Sequence, residues 1–287
     1  MAYKKRKYTQ EEKTAYAKAQ VDEAASLLQT GIQNMVSNDE NYKKFLSFYS
    51  GFHQYSLCNT ILIMIQSKGS ATICANYKDW QKKGRFVKRG EKGLLVRVPT
   101  PKKFTVENDN GEQEERSAMF FKTGYVFDIS QTDGEEVPTI CHDLHGHVGD
   151  FDNLLSRLRK STPCPISFVD KAVTGNAHGF YDVMTKSICI RSDLEQTQKI
   201  KTVIHEIAHS ILHDKDKGVE KDADKVSGEL QAESVAYIVC HALGLDTSEY
   251  SFGYVCSWAR EQTPKKLEQH MTVIGKCAMQ IISALET

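Results

Sequence analysis

Two histidines and one glutamate have the spacing that a metal hydrolase requires. Within the segment Val203 to His213, His205 is followed directly by Glu206 and, four positions along, by His209. Residues four apart share one face of an α-helix, so both imidazoles should point the same way with the carboxylate beside them. This H-E-x-x-H arrangement is typical of zinc hydrolases, although it also arises by chance on solvated surface helices.

A catalytic zinc ion usually has three protein ligands and one open position, so a third ligand is required. His213 is eight residues beyond His205, about 12 Å along the helix axis, which is too far to share one ion. The next predicted helix contains Glu229 and Glu233, four residues apart on one face. We assign Glu229 as the third ligand and Glu233 as the acceptor for a histidine N–H, which would fix the tautomer of that ring. Zn²⁺, one ion per chain, is the expected metal, with another divalent ion such as Mn²⁺ as the alternative.

A hairpin and a helix are predicted around the motif. The sequence from Gly179 to Arg191 is typical of two strands joined by a turn, and the motif helix should be capped around Ser192 or Asp193. A strand beside a metal helix commonly presents an open edge, to which an extended peptide binds through main-chain hydrogen bonds. We expect Ser187 to Arg191 to be that edge, and a purely structural hairpin is the alternative.

The N-terminal part is predicted to contain helices followed by a small antiparallel sheet. Thr9 to Glu12 form a capping-box pattern before a long amphipathic helix, and two further helical segments follow. Glycines then separate short strands between residues 84 and 98. Asn108 to Gly111 predict a hairpin turn between later strands.

Charge divides the chain into two parts. The formal net charge is zero, but residues 1–105 contain 19 Lys and Arg against 8 Asp and Glu, and residues 106–287 contain 18 against 29. Residues 131–150 hold Asp, Gly, Glu and Pro with no sustained period, which indicates a boundary. We therefore predict an N-terminal domain over 1–130, a linker over 131–150 and a C-terminal domain over 151–287.

Cys141 to His147 offer metal donors, but their spacing fits no closed zinc site, which favours the linker interpretation.

The basic N-terminal part contains a segment in which positive charge alternates with aromatic rings. Such a combination neutralises phosphates and lets bases stack, as in proteins that bind single-stranded nucleic acid. A solvated basic face above core aromatics is the alternative interpretation, and the residues alone do not choose between them. The DNA-binding residues that we predict are Lys82, Lys83, Arg85, Lys88, Arg89 and Lys92 with Trp80 and Tyr77.

Composition gives a coarse expectation for the compartment. No apolar run approaches the roughly 18 residues that a membrane helix needs, and the basic start leads into a charged helix instead of an apolar signal segment. The eight cysteines are dispersed and never form C-x-x-C, which suits reduced thiols in a protein core. We expect a cytoplasmic protein without a membrane partner.

At these motifs the C-terminal half, from about residue 150 to 245, resembles the ImmA/IrrE-type metallopeptidases. The N-terminal half resembles the domain that precedes such a metallopeptidase in ArdC-like antirestriction proteins of plasmids and conjugative elements. The resemblance implies an α+β chain with N-terminal helices and a small antiparallel sheet that bind single-stranded DNA. A zincin-like metallopeptidase domain with a β-hairpin and an H-E-x-x-H helix would follow. The segments that carry the N-terminal likeness are Phe45 to Ser56, Trp80 to Gly93 and Val126 to Thr132.

Three functions are compatible with these motifs. The first is a single-stranded-DNA-binding zinc metallopeptidase that uses Glu206 for catalysis and acts in antirestriction, with a protein substrate or a restriction enzyme as partner. The second is a DNA-binding protein that acts by occupancy and has a structural or vestigial metal site. The third is a peptidase whose basic domain binds acidic proteins. The first two keep the same ligands, so the sequence does not separate them.

Overall fold

A computed structural model describes residues 9–52, 54–107, 113–136, 151–216, 218–219 and 224–285. The chain has the mixed α+β fold that the sequence predicts. In chain order the elements are α1 (Gln10–Met35), α2 (Asp39–Gly51), α3 (Leu57–Gln66), β1 (Cys74–Ala75), α4 (Tyr77–Lys82), β2 (Arg85–Val87), β3 (Leu94–Glu107), β4 (Gln113–Asp128), a 3-10 turn (Ile129–Gln131), β5 (Thr132–Gly134), α5 (Phe151–Lys160), β6 (Ile166–Val169), α6 (Lys171–Thr174), β7 (Gly179–Asp182), β8 (Ser187–Arg191), α7 (Gln196–Leu212), α8 (Lys225–Ala242), α9 (Val255–Arg260) and α10 (Pro264–Leu285).

Two compact units divide the chain, one within residues 1–31 and 61–137 and the other within 32–60 and 138–287. In the first unit, α1 begins with the predicted capping box, in which the Thr9 N–H donates to Glu12 Oε2 at 2.8 Å and the Glu12 N–H donates to Thr9 Oγ1 at 3.1 Å. Strands β1, β4 and β3 form one antiparallel sheet in that order, and β2 pairs with β5.

A long two-stranded ribbon dominates the sheet of the first unit. Strand β3 has 14 residues and β4 has 16, and they pair continuously from Leu94 opposite Val126 to the far end of β3. The short strand predicted after Gly84 is present as β2, but the strand expected to end near residue 98 continues to Glu107. The prolines at 99 and 101 conceal the long strand in the sequence, but β3 is the outer strand of its sheet, the position in which a strand tolerates proline. The predicted turn over 108–111 lies outside the described residues.

The second unit contains a three-stranded sheet and a group of helices. Strand β8 is central, parallel to β6 and antiparallel to β7. Helix α8 packs against α7, α10 and α2, and the Tyr42 hydroxyl of α2 lies 2.8 Å from Ser234 Oγ of α8 in the buried interface. By its contacts α2 therefore belongs with α8, although the two helices are far apart in the sequence. The domain bounds at 130 and 151 stay a prediction.

Two details around the metal-motif helix differ from the sequence expectation. Helix α7 begins at Gln196, and its N-cap is Glu195 instead of Ser192 or Asp193. The reason is that the Ser192 N–H donates to the Val169 carbonyl oxygen at 2.8 Å and so continues the strand pairing. The open strand edge next to the motif helix is also misassigned, because β8 is covered on both sides and β7 is the outer strand.

None of the helices within the described ranges is long and apolar enough to cross a membrane. Seven cysteines in the described part of the chain are free thiols. The donors of Cys141 to His147 and most of the predicted linker lie outside the described residues.

Candidate functional site

Helix α7 presents its histidines because its opposite face is apolar. Residues spaced three and four apart along α7 are fully buried, which fixes the rotation of the helix about its axis. His205 and His209 consequently project at the edge of the core, with about a fifth of each side chain exposed. The buried apolar residues of this face are Ile200, Val203, Ile204, Ile207, Ala208 and Leu212.

Three atoms able to bind a metal ion converge at this edge. Nε2 of His205 lies 3.0 Å from Nε2 of His209. Oε2 of Glu229, on α8, lies 3.6 Å from the first nitrogen and 3.7 Å from the second. Neighbouring ligand atoms in a tetrahedral site with bonds of 2.0 to 2.1 Å are about 3.3 Å apart, so the triangle has the dimensions of a divalent-metal site. The described residues contain this one cluster of potential metal-ligating groups.

Glu233 lies on the far side of the His205 ring. Its Oε2 is 3.2 Å from Nδ1 of His205, one turn of α8 beyond Glu229. If Nδ1–H donates to this carboxylate, the lone pair of Nε2 faces the other two ligand atoms. Helix α8 thus contacts both nitrogens of one imidazole through two carboxylates.

The electrostatics of the cluster follow from these pairings. Burial alone would lower the pKa of His205, but the carboxylates of Glu229 and Glu233 raise it to about 10. The hydrogen bonds of both histidines with Glu229 hold the pKa of that carboxyl far below its usual range. A positive charge is therefore favoured between these groups, which a divalent cation also satisfies.

Glu206 is the buried carboxylate of the site, with 7 % of its surface exposed. Desolvation raises its pKa, and a hydrogen bond from the backbone N–H of Tyr181 on β7 acts in the opposite direction. Glu206 lines a cleft of about 470 Å³ together with His205, Glu233 and Gly179. The cleft brings a carboxylate able to hold a proton next to the triangle of ligand atoms.

Strand β7 approaches α7 closely because residue 179 has no side chain. A Cβ at Gly179 would lie 2.8 Å from Cγ2 of Thr202 on α7 and 2.8 Å from the carbonyl oxygen of Cys189. Real Cβ atoms do not approach other atoms so closely. The glycine therefore permits the outer strand to form one wall of the cleft.

His213, which spacing excludes as a ligand, contacts a predicted ligand directly. Its Nδ1 lies 2.9 Å from Nδ1 of His209, and its Nε2 lies 2.8 Å from Oε1 of Gln231 on α8. The sequence contains a signal for the first contact, since His209 and His213 are again four residues apart. The contact with Gln231 depends on helix packing and has no local signal.

Two family models match the chain in sequence order. The N-terminal domain of anti-restriction factor ArdC matches residues 14–127, and the IrrE N-terminal-like domain matches residues 161–250. The second match includes all three residues of the ligand triangle. The chain is an ArdC-like protein. The resemblance identified from the sequence is thereby confirmed in both halves.

The chain is also similar to solved structures and to a relative at lower identity. A metal-free crystal structure of the antirestriction ArdC protein from the R388 plasmid aligns with a TM-score of 0.50 and 20 % identity, covering 80 % of this chain and 82 % of that chain, which shows a shared fold. The Mn(II)-bound structure of that protein aligns with a TM-score of 0.47 and 18 % identity, covering 79 % of this chain and 84 % of that one. A Bacillus anthracis protein described as uncharacterized is 26 % identical over all of this ArdC-like chain and 54 % of its own length. The chain therefore spans about half of that relative.

The predicted DNA-binding residues lie in the segment that the ArdC N-terminal model covers, but their environments differ. Lys82 pairs with Asp79 at 2.8 Å, and Arg85 is held across the β2–β5 pair by Thr132. Lys88 donates to the Ser130 carbonyl oxygen at 3.0 Å. Lys82 and Lys88 are nevertheless exposed, as are Tyr77, Lys83, Arg89 and Lys92.

Trp80 is a correction to that set. Its side chain is fully buried, and its indole N–H donates to the Phe127 carbonyl oxygen at 2.8 Å. A ring in this position stabilises the packing of α4 on β4 and offers no face to a base. The sequence pattern could not distinguish the two roles, because the partner of the indole is a backbone group distant in sequence.

The β3–β4 ribbon exposes aromatic rings that do not belong to the predicted DNA-binding set. Phe120 is 51 % and Phe121 44 % exposed, and as consecutive strand residues they point to opposite faces. A cation lies over each ring: Cζ of Arg97 is 4.3 Å from the Phe121 centroid, and Nζ of Lys102 is 6.0 Å from the Phe120 centroid. Exposed rings with neighbouring cations are features found in proteins that bind single-stranded nucleic acid.

Proposed function

We propose that this ArdC-like chain binds single-stranded DNA through its N-terminal domain and hydrolyses peptide bonds at a zinc site in its C-terminal domain. We further propose that it acts in antirestriction when DNA enters a cell as a single strand. The observation that carries the proposal is the triangle of His205, His209 and Glu229 beside the buried Glu206. The partners would be single-stranded DNA and a protein substrate, with restriction enzymes as the class to test first.

The residues around the triangle support hydrolysis. A divalent cation held by the three ligands would supply Lewis-acid chemistry, polarising a carbonyl and acidifying water. Glu206 would accept the proton of the attacking water on its carboxylate and deliver it to the leaving amine. Its burial and raised pKa suit a group that must both take and release a proton. Glu233 would hold His205 in the tautomer whose Nε2 faces the triangle.

The substrate would bind as an additional strand. β7 is the outer strand of its sheet, and Gly179 of β7 lines the cleft that contains Glu206. An extended peptide paired with β7 would make main-chain hydrogen bonds that do not depend on its side chains. The proposed peptide edge is therefore β7, the outer strand, instead of β8.

The DNA-binding part of the proposal uses two surfaces of the first unit. The ribbon offers Phe120 and Phe121 for stacking, each with a cation over its ring. The exposed Lys83, Arg89 and Lys92 would neutralise phosphates. The combination tolerates any base sequence, because every base has a stacking face.

A second candidate function is occupancy of DNA without cleavage. The ribbon favours it, because stacking and charge neutralisation need no catalytic group. The metal site would then have a structural role.

A single variant separates the two functions. Glu206→Gln preserves the size of the side chain and removes its ability to carry a proton. We expect the purified variant to retain one divalent ion per chain in elemental analysis and to bind an oligonucleotide like wild type, but to lose protein cleavage and protection of incoming DNA. Full protection by the variant would support occupancy instead. Absence of metal from the wild type would refute the peptidase proposal.

A further inference from the structure

We propose that His213, Gln231 and His270 form a hydrogen-bond relay that positions His209 for metal binding. The inference rests on the proposed metal site and adds residues to which no role has been assigned. Three helices contribute to it: His213 follows the last residue of α7, Gln231 lies on α8 and His270 lies on α10.

Each link of the relay is a direct contact. Nδ1 of His209 is 2.9 Å from Nδ1 of His213, Nε2 of His213 is 2.8 Å from Oε1 of Gln231, and Nε2 of Gln231 is 2.6 Å from Nδ1 of His270. Gln231 is fully buried and His270 is 5 % exposed, so water cannot readily substitute for these partners.

The chemistry of the groups gives the relay a single direction when His209 binds a cation. Nε2 of His209 must then offer its lone pair, so Nδ1 carries the hydrogen and donates to Nδ1 of His213. His213 in turn carries its hydrogen on Nε2 and donates to the Gln231 carbonyl oxygen. The Gln231 amide completes the chain by donating to Nδ1 of His270. Reversing every bond would put the hydrogen on Nε2 of His209 and abolish its ability to bind metal.

The structure also restricts movement of the His213 ring. The His213 backbone N–H donates to the His209 carbonyl oxygen at 2.8 Å, so backbone and ring are both attached to the same residue. Gly228 of α8 packs beside the ring, where a Cβ would lie 3.6 Å from Cε1 of His213. The two histidines of the site thus have different supports, a carboxylate for His205 and a neutral imidazole and amide for His209.

Two substitutions of His213 distinguish positioning from space filling. His213→Phe keeps a ring but removes the acceptor, whereas His213→Asn loses the ring and keeps an oxygen near the position of Nδ1. We expect competition with a chromophoric chelator to show Zn²⁺ affinity about 10- to 100-fold weaker in H213F, with most of the affinity restored in H213N. If His213 only fills space, H213F should bind Zn²⁺ more tightly than H213N. Equal affinity of wild type and H213F, or equal losses in both variants, overturns the relay.

The Gln231 link is tested by a double-mutant cycle. Gln231→Met should weaken Zn²⁺ binding, and H213F/Q231M should bind no more weakly than H213F, because Gln231 acts through His213. Additive losses overturn the chain of contacts.

Tyr42→Phe is the control, because it removes a buried hydrogen bond of the same unit and should lower the thermal midpoint of the metal-free protein without changing Zn²⁺ affinity. A wild type that binds no Zn²⁺ would refute the metal site itself. If the wild type binds Zn²⁺ and H213F binds it with the same affinity, only the relay is refuted.

Discussion

Oε2 of Glu233 lies 3.2 Å from Nδ1 of His205, while Oε2 of Glu229 lies 3.6 Å from Nε2 of the same ring. One imidazole therefore separates two carboxylates that are one helical turn apart on α8. Only Glu229 also approaches His209, at 3.7 Å. The two glutamates consequently have different predicted roles, one as a ligand and the other as a support.

Substitution of each glutamate should reveal these roles. Glu229→Ala removes a ligand, and we expect elemental analysis to find no retained divalent ion. Glu233→Ala keeps all three ligands but frees the His205 ring, so metal should remain with an affinity about 10- to 100-fold lower. Glu40→Ala, at an exposed position of α2, is the control and should match wild type. Greater metal loss in Glu233→Ala than in Glu229→Ala would reverse the assignment.

Trp80 and Phe121 should separate stability from DNA binding. Trp80→Ala leaves a cavity and a carbonyl without its donor, and should cost about 3 to 5 kcal/mol in urea unfolding. Phe121→Ala removes an exposed ring and should change the free energy of unfolding by about 0.5 kcal/mol or less. The same variant should weaken binding of a single-stranded oligonucleotide by about 1 to 3 kcal/mol in fluorescence anisotropy. Unchanged affinity in Phe121→Ala would exclude the ribbon as a stacking surface.

The salt dependence of oligonucleotide binding tests the exposed basic residues. Each phosphate contact on a single strand contributes about −0.7 to the slope of log affinity against log salt. Replacing Lys83, Arg89 and Lys92 with Gln should therefore make that slope less negative by about 2. The matched control replaces three exposed lysines of the second unit, Lys160, Lys265 and Lys266. Equal slopes in both triple variants would show that the predicted residues do not contact phosphates.

Asp224 should make an acid-sensitive contribution to stability. Its side chain caps α8 by accepting from the Ser227 N–H at 3.0 Å and the Ser227 hydroxyl at 2.7 Å, and these bonds lower its pKa. Asp224→Ala should cost about 1 kcal/mol at neutral pH. Because the pKa is lower in the folded than in the unfolded state, the part of this contribution that depends on the carboxylate charge is complete above pH about 4 and is lost as the pH falls through the folded value. Urea unfolding across this range should show wild type and variant converging.

Asp224→Asn is the control for that titration. The amide oxygen can still cap the helix, but it does not ionise, so the difference between Asp224→Asn and Asp224→Ala should stay constant with pH. A constant difference between wild type and Asp224→Ala would contradict the predicted acid sensitivity.

The parts of the site that local geometry determines were predictable from sequence. The four-residue spacings of His205 with His209 and of Glu229 with Glu233 place each pair on one helix face, and the described triangle agrees with that geometry. The open strand edge was not predictable, because it depends on how β6 reaches β8 across the chain. Burial of Trp80 likewise depends on a distant carbonyl group.

The position of α2 has a consequence for dividing the protein into fragments. This helix falls within the segment that the ArdC N-terminal model matches, yet its Tyr42 is buried against Ser234 of α8. A single cut between the two matched segments would therefore expose the apolar side of α8, the helix that carries Glu229. A chimaera that receives the C-terminal half of a relative should fold poorly unless it also receives residues 32–60 of that relative. We therefore expect residues 32–60 and the C-terminal half to be inherited as one module, although they are separated along the chain.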